Sequence, residues 1–162
     1  MAIKVYCEHG AFREELFRFQ QHGYIELVNF PYEMRINKKH NMGRPSEVKI
    51  ADMGNVYLAD ANWQLCDLEG SEKLNQIRHI LGPRTRRDAL HVDSAYKSGC
   101  TAFLSRDRKH ILSKARELKQ LLGIIFFHPD DDWNEFQAFI GTSDGRAKVH
   151  AQVTSGLKPR KA

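Results

Sequence analysis

At 162 residues, 41% hydrophobic and 28% charged, the chain fits one compact domain and carries too many core formers for disorder. Its longest apolar run, Leu121–Phe127, is broken by Gly123 and falls short of the roughly 20 residues of a membrane-spanning helix. The formal net charge of +5 comes from the end alone: Arg146, Lys148, Lys158, Arg160 and Lys161 stand there without acids, leaving 20 basic against 20 acidic residues in 1–145.

The opening Met1-Ala2-Ile3-Lys4-Val5 lacks the apolar stretch of a secretory signal, so a cytoplasmic location is expected. Cys7, Cys66 and Cys100 are too few and too scattered for a disulfide framework or a zinc cluster. Cys7-Glu8-His9 gives no zinc site either, because adjacent residues on extended chain point to opposite sides and no second Cys/His pair completes four ligands.

In chain order, Ile3–Cys7 reads as a buried strand stopped by Glu8-His9-Gly10. Phe12, Leu16 and Phe19 follow at helical spacing, with Gly23 as the stop. Tyr24–Phe30 reads as a second strand, ended by Pro31. Residues 31–70 form a variable region in which Val48–Leu58 and Trp63–Leu68 are rich in strand formers, and Asp60-Ala61-Asn62 between them could turn a hairpin insertion. Ser71 opens a helix carrying Leu74, Ile77 and Leu81, closed by Gly82-Pro83.

Thr85 is the expected N-cap of a further helix with Ala89, Val92, Ala95 and Tyr96 toward the core. After a short strand, Thr101–Ser105, one long helix with Ile111, Leu112, Ala115, Leu118 and Leu122 on its apolar stripe runs to Gly123. Ile124–Phe127 is another apolar strand. Pro129 and Asp130–Asp132 suit the first turn of a last helix, with Trp133, Phe136 and Ile140 as its apolar contacts. Strands that are apolar throughout and alternate with helices define an α/β fold, a central and mostly parallel sheet covered on both faces as a three-layer sandwich. The domain is expected over 1–141, with 142–162 as a basic tail.

In such a sheet the ligand crevice lies beyond the carboxyl ends of the strands. Glu8 follows the first strand, Asp107 comes just after the Thr101–Ser105 strand, and Asp88 sits in the first turn of the preceding helix, so the three acids are expected on one rim. A carboxylate cluster repels itself unless a cation joins it, and Mg²⁺ or Mn²⁺ prefers oxygen ligands of this kind. Arg84, Arg86 and Arg87 precede Asp88, while Arg106, Arg108 and Lys109 surround Asp107. Metal-binding acids among arginines suit a phosphodiester.

The run Asp88-Ala89-Leu90-His91-Val92-Asp93-Ser94-Ala95 through Gly99 to Leu104-Ser105-Arg106-Asp107 resembles the second half of the PIN domain. Leu121-Leu122-Gly123, the strand after it and a proline-led helix are similar too, as is the opening Ile3-Lys4-Val5-Tyr6-Cys7-Glu8. The likeness covers residues 85–140 and, more loosely, 1–30. It implies a metal-dependent ribonuclease in which Glu8, Asp88 and Asp107 hold Mg²⁺ or Mn²⁺ and water attacks the phosphodiester in line. Glu33 would be the second acid, with Glu47 as the fallback. Arg86, Arg87, Ser105, Arg106 and Arg108 would hold the RNA backbone, without base specificity. Many such domains are toxins of toxin-antitoxin pairs, so the resemblance also admits an antitoxin-like partner or a homodimer. The chain departs from the pattern at Glu8-His9-Gly10, where an aspartate followed by a small hydroxyl residue or Thr-Asn is usual, and in lacking a clear second glutamate. The alternative is therefore a catalytically degenerate PIN-like module that binds nucleic acid or a protein.

Plainer roles stay open beside these. Asp88 stands at the capping-box position after Thr85, Asp107 suits an N-cap, and Glu8 suits the polar end of a strand. His91, one turn beyond Asp88, is read as a core histidine rather than a base.

Overall fold

The apolar strands predicted at Ile3–Cys7 and Tyr24–Phe30 form as β1 (Ile3–Cys7) and β2 (Ile25–Asn29). The structure, a computed structural model, describes residues 2–31, 40–47 and 68–142. Glu33, the stretches that could form the hairpin and the tail beyond 142 lie outside the described residues, apart from Leu68. The other strands are β3 (Asn41–Met42), β4 (Ala102–Leu104) and β5 (Ile125–Phe127). All pairings among them are parallel, in the order β3-β2-β1-β4-β5.

Both sheet faces are apolar, and the pleat divides the strand residues between them. Tyr6, Val28, Phe103 and Phe126 point to one side, where they meet α2 (Leu74–Leu81), α3 (Arg86–Lys97) and α4 (Ala115–Leu122). Val5, Cys7, Ile25, Leu27, Ala102, Leu104 and Phe127 point to the other, where Leu16 and Phe19 of α1 (Glu14–Gln21) and Phe136 and Ile140 of α5 (Trp133–Thr142) cover them. Three layers result. An aromatic row crosses the middle of the sheet, with Phe103 centred 4.9 Å from Tyr6 and 5.1 Å from Phe126. No described helix is long and apolar enough to cross a membrane.

The helix stops follow the glycines, since Gly23, Gly82 and Gly123 take φ of 72°, 95° and 72°, values that side chains oppose. The predicted long helix is shorter than its apolar stripe. Residues 108–111 form turns, Leu112–Lys114 a 3₁₀ turn, and α4 starts only at Ala115. Ser113 supplies a reason: its hydroxyl donates back to the carbonyls of Lys109 at 2.7 Å and His110 at 3.2 Å, competing with regular helix bonds. The N-cap position of α3 falls on Thr85, as expected. Thr85 occupies that position without a side-chain cap bond, and its hydroxyl instead donates to the Gly82 carbonyl at 2.8 Å.

Two side chains of α3 fasten neighbouring loops. The fully buried Asp93 carboxylate accepts from the hydroxyls of Ser46 and Ser71 and from the Ser71 N–H at 3.1 Å. One turn on, the Lys97 ammonium donates to the carbonyls of Pro45 and Glu69. A third contact comes from Gly43, where a Cβ would stand 2.7 Å from the Asn29 carbonyl oxygen and 2.8 Å from the Ser94 hydroxyl, so only glycine allows this approach.

Candidate metal centre

Chain order explains where a site can form. From β1 the sheet grows outward through β2 and β3, and then the chain returns to the other side of β1 to lay down β4 and β5. Strand order reverses between β1 and β4, and the crevice beyond their carboxyl ends is the natural ligand position.

Asp107 follows β4 there and is held from several directions. Its N–H donates to the buried Ser105 hydroxyl at 2.9 Å. Its Oδ1 accepts from the backbone N–H of Lys109 at 3.0 Å and of His110 at 2.9 Å, which is an N-cap arrangement for the turn that follows. Its Oδ2 accepts from His110 Nδ1 at 3.0 Å. Asp88 arrives from the first turn of α3. The capping-box alternative does not describe its neighbourhood, because the Thr85 N–H donates to the Gly82 carbonyl at 3.4 Å.

Asp88, Asp107 and His110 each offer a ligand atom, and these atoms all lie within 4.8 Å of one another. Burial first, and the Asp107 carboxylate second, push the Asp88 carboxyl above its ordinary range, while His110 and Arg87 pull the other way. Two carboxylates thus gather in a half-buried place that disfavours the charged form of Asp88, a charge pattern that a cation would relieve. Two oxygen donors and an imidazole form a donor set fit for a divalent metal ion.

The structure therefore brings together two of the three acids predicted to converge. Glu8 stands on the same carboxyl edge, at the end of β1, with its N–H donating to the Leu104 carbonyl at 3.2 Å, and the Asp88–Asp107–His110 group does not include it. Glu47, the fallback acid, has φ of 52° and faces Arg78 and Arg86, the latter at 3.8 Å. His110 was missed by sequence reasoning, though a signal was present: a residue three positions after an N-capping aspartate returns to it across the first turn.

The arginines divide as well. Arg106 makes a two-pronged pair with Asp130 at 2.7 and 3.2 Å, and Arg108 pairs with Asp131. Asp130 and Asp131, expected as helix-end charges, thus spend their carboxylates on the arginines beside Asp107. Asp132 keeps its place ahead of α5 and accepts the His128 N–H at 2.8 Å. Arg87 holds its guanidinium 6.0 Å above the Phe30 ring, close enough to the site to act on Asp88.

His91 fits the core reading. It is buried, its Nδ1 accepts from the Tyr6 hydroxyl at 3.0 Å, and its ring stacks on Phe30 at 3.7 Å. Cys7 and Cys100 are buried and held in no disulfide, and burial pushes the Cys100 thiol up to about 12. No family model, curated protein or solved structure matches the chain.

Proposed function

We propose that the chain is a metal-dependent ribonuclease of PIN type, acting on single-stranded or structured RNA. The observation that carries this reading is the convergence of Asp88, Asp107 and His110 beyond the sheet's carboxyl edge, beside the reversal of strand order. Asp88 and Asp107 would hold a divalent ion, Mg²⁺ or Mn²⁺ in the simplest form of the reading, with Glu8 as a third acid from the end of β1. A divalent ion at this place supplies polarisation of a phosphoryl oxygen and a more acidic bound water. Ser105 fixes the Asp107 backbone, and Arg87 stands ready to hold a phosphate without reading bases. Arg106 and Arg108 would join it by exchanging exposed carboxylate partners for phosphates, a small change because exposed ion pairs contribute about 0–1 kcal/mol.

The test is cleavage of single-stranded RNA with Mn²⁺ and with EDTA, for the wild type, Asp88→Asn and Asp107→Asn. Turnover with Mn²⁺ in the wild type should fall by about 100-fold or more in EDTA and in each variant. Identical rates throughout would overturn the proposal.

A second reading, a degenerate module that binds nucleic acid or protein without turnover, draws on two observations. Glu8 stands outside the three-residue group, and Arg106 and Arg108 already have carboxylate partners. This reading expects RNA binding that weakens steeply with salt, or salt-insensitive protein binding, and it ends if substoichiometric enzyme shows metal-dependent turnover.

A further inference from the structure

We infer that the Asp88–Asp107–His110 group selects a nitrogen-accepting first-row transition ion over magnesium, and that His110 is the ligand that makes the selection. This rests on the metal centre of the proposed function and deepens it. Two carboxylates alone discriminate weakly, because oxygen donors suit magnesium, calcium and manganese alike. An imidazole changes the set: magnesium keeps its waters and favours oxygen, whereas ions from manganese to zinc accept nitrogen, with affinity rising along most of the series.

The geometry gives His110 this place and no competing structural task in the core. Its backbone N–H donates to Asp107 Oδ1 at 2.9 Å, the Leu112 N–H ties the turn to the Asp107 carbonyl at 2.9 Å, and its ring Nδ1 donates to Oδ2 at 3.0 Å, which leaves Nε2 as the ring nitrogen with a lone pair for an ion. The ring is thereby fixed against one carboxylate, within reach of the second, while its side chain remains 41% exposed. His91 shows the contrast, since its ring is buried between Phe30 and the Tyr6 hydroxyl and faces no acid pair.

The experiment is calorimetric titration of the full chain at one pH with Mg²⁺, Mn²⁺, Co²⁺ and Zn²⁺, with the visible spectrum of the Co²⁺ form as a second readout. Wild type should bind Co²⁺ and Zn²⁺ about 100-fold more tightly than Mg²⁺. His110→Ala should lose about 100-fold for Co²⁺ and Zn²⁺, shift the Co²⁺ bands, and leave Mg²⁺ within about twofold. His110→Asn, which keeps a donor for Asp107 but no ring nitrogen, should behave as the alanine variant does. Wild-type Zn²⁺ affinity in His110→Asn, or parallel losses for Mg²⁺ and Zn²⁺ in His110→Ala, would make His110 a holder of Asp107 and overturn the inference while leaving the ribonuclease reading intact. Selective metal binding without RNA turnover would do the reverse. Failure of every ion to bind the wild type would overturn both.

Discussion

The first turn of α3 and its middle carry the same kinds of side chain in opposite conditions. In the middle, the Asp93 carboxylate is wholly buried yet supplied with three donors from Ser46 and Ser71, and His91 is buried with one donor and a stacked ring. At the first turn, Asp88 faces another carboxylate across a half-buried gap. Burial of a charge is tolerated where hydrogen bonds replace water, and a structural carboxylate is recognised by that completeness. Asp88 gathers like charge instead, the arrangement that the proposed metal centre would use.

The largest expected effect comes from the satisfied end. Asp93→Ala strands the donors of two loops and should cost about 3 kcal/mol, read as a lower urea midpoint. A loss under about 1 kcal/mol would break the comparison.

Next comes the pH dependence set by His91. Burial, with the Arg87 charge adding to it, pushes the imidazole down to about 3, whereas the unfolded chain takes up the proton near 6.5. Between those values the unfolded state binds more protons, so stability falls as pH falls, by about 1.4 kcal/mol per unit from this group. Denaturation at pH 7 and 5 should show this component in the wild type and not in His91→Gln, which keeps an acceptor for Tyr6. An unchanged slope in that variant would remove His91 as the source.

Asp88→Asn should have the smallest effect on stability and the opposite sign. A carboxyl raised above its ordinary range stabilises the fold while protonated, and that contribution is lost as pH rises through its folded value. At pH 7 the asparagine variant should therefore match or exceed the wild type by less than about 1 kcal/mol, because the group is partly solvated. The gain should fade in acid, where the wild-type carboxyl takes up its proton. A clear destabilisation in thermal melts would instead make Asp88 a structural cap.

Local signals carried most of the fold. Ile3–Cys7 showed its strand in unbroken apolar residues, and Gly23, Gly82 and Gly123 marked helix ends because only their backbones enter that region freely. The break ahead of Ala115 was not legible: the apolar stripe continues through it, and the competing Ser113 bonds depend on the turn that Asp107 nucleates. At the site, Asp88 and Asp107 could be brought together from strand ends alone. Asp93 could not be told from a solvated acid, because Ser46 and Ser71 lie 47 and 22 positions before it. His110 is legible only through its place three positions after Asp107, a signal that counts once Asp107 is known to cap the turn.

The clasp on α3 has an evolutionary consequence. Ser46 and Ser71 meet one carboxylate, and Pro45 and Glu69 meet one ammonium, so the chain departs and returns at posts fixed side by side. Replacing either Asp93 or Lys97 would therefore release two separate segments at once, which leaves these two positions less room to drift than exposed ones nearby.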